Sequence, residues 1–181
     1  ITDGKMGAFA VDKDGAMYAC PIIEAEVIEK TGAGDAYASG FTVPPHLLTQ
    51  EFFQQVREKL SPDGIFIGNF FGNLTATAPS FVMSAMHTFR SVFPNSTFFA
   101  VNDRTSLHPQ HVAFVGQNSP SPTDFCSPKL QNSSDTFIAS LCEKVIAVST
   151  KTLAAFPVFT DDYAPVEYLT GLTFKRMAWG M

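Results

Sequence analysis

From Thr49 onward the chain alternates segments of helical period with short apolar runs, and that alternation restricts it to layered α/β architectures. Thr49 stands where a hydroxyl can cap a helix. Phe52, Phe53, Val56 and Leu60 then recur at three- and four-residue spacing, with Glu51, Arg57, Glu58 and Lys59 left for water. Ser61-Pro62-Asp63-Gly64 should end that helix. Ile65-Phe66-Ile67-Gly68-Asn69 is a short apolar run between turn residues, the pattern of a central strand covered on both faces, and Phe70-Phe71-Gly72-Asn73 reads as a loop at the sheet's edge. Pro79 suits the first turn of a second helix. Phe81, Val82, Ala85, Met86, Phe89 and Phe93 form its wide apolar stripe before the break at Pro94-Asn95.

Two β-rich runs follow, Thr97 to Val101 and His111 to Gly116, separated by the polar stretch Asn102 to Gln110. Asn118 to Ser134 is rich in Ser, Pro and Asn and reads as a long surface loop. Phe137, Ile138, Leu141, Val145, Ile146 and Val148 mark a third helix starting near Ser134 or Asp135. At 45% hydrophobic and 16% charged, 181 residues suffice for one good core or two small ones. The 18 phenylalanines fall mostly in these helices and strands, so core filling is their expected role.

The N-terminal quarter carries different chemistry. Ala8 to Val11 and Ala16 to Cys20, joined by Asp12-Lys13-Asp14-Gly15, read as a hairpin with an Asp-Gly turn. Further on, Thr31, Gly32, Ala33 and Gly34 let backbone N–H groups crowd at a helix N-terminus, where unpaired donors and the positive dipole end hold a phosphoryl group. Asp35, in that first turn, is placed to take the proton of an attacking hydroxyl. With Ile1-Thr2-Asp3-Gly4 and Gly7 upstream, these residues resemble the C-terminal part of a ribokinase-like (PfkB) carbohydrate or nucleoside kinase, over residues 1–41. The family more often has Asp where this chain has Glu29. The resemblance implies ATP with Mg as cofactor and a sugar or nucleoside as acceptor.

From Asp35 onward a second resemblance takes over. Asp35-Ala36-Tyr37 shortly before Pro44-Pro45-His46-Leu47-Leu48-Thr49, together with the tail Phe159-Thr160-Asp161-Asp162-Tyr163-Ala164-Pro165-Val166-Glu167, resembles the second half of a spermidine synthase-like polyamine aminopropyltransferase. This implies a partial doubly wound, Rossmann-like sheet of methyltransferase type, with the last two strands antiparallel at its end. It also implies decarboxylated S-adenosylmethionine as co-substrate and Asp35 as the group that positions the amine and takes its proton. Tyr37, Pro45, His46, Asp161, Asp162 and Tyr163 are the implied substrate contacts. A loop-anchoring hydrogen bond for His46, and an Asp-Asp-Tyr turn capping a helix, are the plain alternatives. That family's glycine-rich donor loop and ribose-gripping acid are not found in residues 1–34. The division expected is residues 1–42 and 43–181, the two forming one composite domain.

A net charge of −5 and pI near 5.2 argue against a nucleic-acid footprint and suit a cationic substrate. No uninterrupted apolar run of membrane-spanning length occurs. Cys20, Cys126 and Cys142, odd in number and widely spaced, are read as reduced thiols of a cytoplasmic protein. His108 and His111 lack a third ligand, so no metal is expected, and Lys175, Arg176 and Trp179 read as a solvated tail. A chain opening with Ile1 inside a motif is read as a fragment. Three functions are therefore compared: an aminopropyltransferase, a PfkB-type phosphotransferase, and a non-catalytic fusion whose half-sheet is stabilised by homo-oligomerisation.

Overall fold

The computed structural model describes residues 8–11, 17–20 and 43–179, with side-chain surroundings for residues 43–175. The chain divides into two compact units, Ile1–Asp35 and Ala36–Met181. In the first, β1 (Ala8–Val11) pairs antiparallel with β2 (Met17–Cys20), Val11 facing Met17 and Ala8 facing Cys20. That is the expected hairpin; its Asp-Gly turn lies outside the described residues.

In the second unit a short 3-10 turn at Pro45–Leu47 leads into α1 (Gln50–Lys59), and Thr49 Oγ1 accepts a hydrogen bond from Phe52 N at 3.2 Å as its cap. β3 (Ile65–Gly72), α2 (Phe81–Val92), β4 (Ser96–Ala100) and β5 (Gln110–Gln117) follow. The described strands of this unit form one antiparallel sheet in the order β3-β5-β4. The last two strands are antiparallel as expected, and the unit is mixed α/β.

Three expectations need correction. β3 does not stop at Asn69 with a loop after it; the strand runs on through Phe70-Phe71-Gly72, since Phe70 packs on Phe114 at 4.4 Å between ring centroids. Nor is β3 covered on both faces. Phe66 and Phe70 face the core, whereas Ile65 and Ile67 are 50% and 69% exposed, the alternation of a strand with one solvated face. Ser80, not Pro79, starts α2: its Oγ accepts from Met83 N at 3.4 Å and Pro79 precedes it.

The core lies between the inner sheet face and α2, with α1 packed alongside. Phe89 sits at its centre, 5.0 Å from Phe53, 5.6 Å from Phe114 and 4.9 Å from Phe93, ring to ring. Glycine at position 116 makes this approach possible, because a Cβ there would come within 2.7 Å of both Phe89 and Phe93.

Beyond β5, the long loop contains a single helical turn, α3 (Pro128–Gln131), before α4 (Thr136–Lys144). Asp135 caps α4, its Oδ1 accepting from Phe137 N at 2.8 Å and Ile138 N at 3.1 Å. The predicted helix through Val148 ends early. Val145 instead bridges to Phe99, and Ile146 N donates to Phe98 O at 2.8 Å, so backbone pairing with β4 wins over helical period. Two further helices, α5 (Thr150–Leu153) and α6 (Val166–Trp179), complete the unit; Lys175, on α6, is exposed, and the side chains of Arg176 and Trp179 lie outside the described residues. α6 is held by the buried side chains of Val166, Leu169, Thr170 and Thr173.

Cys126 and Cys142 form a disulfide with a Cα–Cα distance of 4.7 Å. The reduced-thiol expectation is overturned for this pair, because α4 brings Cys142 beside the turn that carries Cys126, a proximity that sequence spacing does not reveal. The cytoplasmic reading thereby loses its premise. No described helix is long and apolar enough to cross a membrane.

Candidate functional site

Thr31, Gly32, Ala33, Gly34, Asp35 and Tyr37 lie outside the described residues. The remaining predicted contacts all belong to the second unit, and three of them converge. Pro45, His46 and Asp161 line one pocket of about 510 Å³ together with Thr49, Phe52, Gln55 and Ala164.

The convergence has a traceable cause. Thr88, buried in α2, donates its hydroxyl to Ser84 O at 2.8 Å and accepts from Phe159 N at 2.8 Å. Phe159 O in turn accepts from Gln50 N, the first residue of α1, at 2.8 Å. His87 Nδ1 lies 2.6 Å from Phe156 O and fixes the same stretch. The C-terminal segment is thus stitched to the start of α1 by buried polar groups, each with its partner inside the fold. One step further, Asp161 N donates to Glu51 Oε2 at 3.1 Å. Glu51 thereby holds the backbone of Asp161, which lines the pocket together with the exposed His46.

Asp162 and Tyr163 are exposed and do not join the described pocket wall. They form a tight reversal in which Thr160 and Tyr163 exchange backbone hydrogen bonds of 3.0 Å in both directions. The Asp-Asp pair is the tip of that reversal and α6 starts only at Val166, so the helix-capping alternative does not hold. The reversal instead points Asp161 to the pocket side.

Thr49, Phe52 and Gln55 were not foreseen as pocket residues, although their spacing of three puts them on one face of α1. Thr49 drew attention as a cap and as the end of the Pro44-to-Thr49 motif, and Phe52 only as core. The clearest carboxylate perturbation lies elsewhere: the Thr105 backbone N–H and hydroxyl hold Asp103 below the usual carboxylate range. Among the described residues no group of three or more His, Cys, Asp or Glu side chains is placed to hold a metal ion.

The comparisons with known proteins bear on the other unit. Residues 1–44 match the pfkB family carbohydrate kinase model. The match covers about a quarter of the chain, the part holding the hairpin and the segment Thr31 to Asp35. No curated protein and no solved structure matches the chain significantly.

Proposed function

We propose that residues 1–44 are the phosphoryl-transfer end of a PfkB-type carbohydrate kinase. In this reading the backbone amides of Thr31 to Gly34 hold the transferred phosphoryl group. Asp35 takes the proton from the acceptor hydroxyl, and ATP with Mg supplies the phosphoryl group. The family match over these residues carries the reading, and the β1–β2 hairpin is consistent with it. A helix N-terminus lined by small residues suits an anion because its donors are backbone groups, and a side chain at position 34 would occupy the space the phosphate needs. Equilibrium dialysis of the full chain against MgATP is expected to show saturable binding that Gly34→Val removes. Absence of binding at millimolar nucleotide, or an unchanged Gly34→Val variant, would sink the reading.

A second reading rests on a separate observation. His46 and Asp161, from the two ends of the aminopropyltransferase-like stretch, line the same pocket although 115 positions apart. Asp161 gives that pocket a carboxylate suited to a diamine or polyamine, and Glu51 holds the Asp161 backbone. Decarboxylated S-adenosylmethionine would be the aminopropyl donor, with the sheet as one half of a Rossmann-like domain. Titration calorimetry with putrescine or spermidine is expected to show binding that Asp161→Asn weakens about tenfold, the equivalent of one charge-assisted hydrogen bond. Equal affinity in the variant removes Asp161 from the site. No heat with either amine removes the reading.

A further inference from the structure

We propose that the Cys126–Cys142 disulfide is a redox-operated clip that holds residues 118–144 as a flap over the outer face of the sheet. No residue from Asn118 to Lys144 is buried. The flap therefore has no core of its own, and its helices α3 and α4 span only 4 and 9 residues, below the length at which an isolated helix persists in water.

What the flap covers is apolar. A cleft of about 350 Å³ lies between it and the strands, with Ile67, Phe99, Val101 and Val115 on the sheet side and Phe125 and Leu141 on the flap side. Phe125 meets Phe99 edge to face at 5.0 Å. The hydrogen bonds that tie the flap to the rest of the unit gather at its two ends: Asn118 N donates to Gly64 O at 3.0 Å, Asn118 Nδ2 to Ser61 O at 3.1 Å, Asn95 Nδ2 to Ser119 O at 3.0 Å and Thr123 N to Gln117 Oε1 at 2.7 Å at one end, and Lys144 Nζ to Asn102 O at 2.7 Å at the other. Between those two ends the disulfide is the single covalent tie, and it fastens the turn bearing Phe125 to the helix bearing Leu141. Both cysteines are only partly buried, so a small reductant has access to the sulfurs.

Opening is an ordinary thiol–disulfide exchange. A thiolate of an external dithiol attacks one sulfur, a mixed disulfide forms, and the dithiol's second thiolate displaces the protein sulfur. Two electrons and two protons pass to the protein, leaving Cys126 and Cys142 as thiols and the dithiol as a disulfide. Freed of the clip, the flap joins the low-stability end of the fold while the core beneath is untouched.

The test uses the full chain with and without dithiothreitol. Thiol titration of the denatured protein is expected to find one free thiol before reduction and three after it. Amide hydrogen exchange in residues 119–144 is expected to rise about tenfold or more on reduction, with α2 and β5 unchanged. A Cys126→Ser, Cys142→Ser double variant should exchange at the reduced-state rate whether or not dithiothreitol is present, which separates the clip from Cys20. Three free thiols before reduction overturn the proposal, as does unchanged exchange in the flap. A rise that spreads equally to α2 and β5 also overturns it, since the bond would then be a staple for the whole unit.

Discussion

Replacing Phe89 by alanine is expected to lower the stability of the second unit by about 3–5 kcal/mol, the range seen when a fully buried aromatic side chain is truncated. The side chain has no exposed surface, and its ring contacts reach every layer of the core. Phe53 comes from α1, Phe66 from β3 at 5.7 Å, Phe98 from β4 at 6.2 Å, and Phe114 from β5. Collapse cannot fill the void cheaply, because each of these rings is anchored on a different element and Gly116 keeps the strand backbone itself close to the site. Since single domains retain only about 5–15 kcal/mol in total, the variant should be marginal or unfolded at ambient temperature. Urea denaturation of the two proteins measures the difference directly. A loss below about 1 kcal/mol, which lies well under the core-truncation range, would mean that Phe89 is not the centre of this core.

Asp35→Asn is expected to lower ATP-dependent phosphorylation of a sugar or nucleoside acceptor by about 10²–10⁴-fold, the usual contribution of a positioned general base. That corresponds to about 3–5 kcal/mol in the barrier to transfer. Nucleotide affinity should change little, because the proposed phosphate contacts are backbone amides of Thr31 to Gly34 that the substitution leaves in place. Steady-state kinetics on the full chain separates the two effects: kcat falls while the KM for ATP holds. Phosphotransfer in the variant within twofold of the unaltered chain would remove Asp35 from the role of base. If the unaltered chain transfers no phosphate and also binds no nucleotide, the kinase reading fails as a whole. The proposed polyamine site at the His46–Asp161 pocket is tested independently of that outcome.

Much of the fold is legible locally. The Thr49 and Asp135 caps, the antiparallel hairpin and the apolar stripe of α2 are each written within a few residues of where they act, since capping and periodicity are short-range effects. Apart from the start of α2, set one residue early at Pro79, the errors concern interactions between distant segments. Ile65 and Ile67 look like core residues in a run of five, yet they face solvent. Which face of a strand is covered depends on what packs against it, and only one layer of helix packs closely here. Val145 to Val148 satisfy a helical pattern, but β4 offers the backbone of Val145 and Ile146 a partner and ends the helix. α6 was missed because its apolar residues are mixed with Thr and Gly, and Thr170 and Thr173 are buried despite their polarity.

Sequence alone determined the caps at Thr49 and near Asp135 and the mixed α/β class, because those follow from chemistry that reaches no farther than a helical turn. Tertiary structure alone decided that Asp161 stands at the same pocket as His46, that Cys126 meets Cys142, and that one face of the sheet is left open to a flap. Each of these joins positions many residues apart through the packing of α2 and α4, and a pairing of that kind depends on which surfaces bury one another.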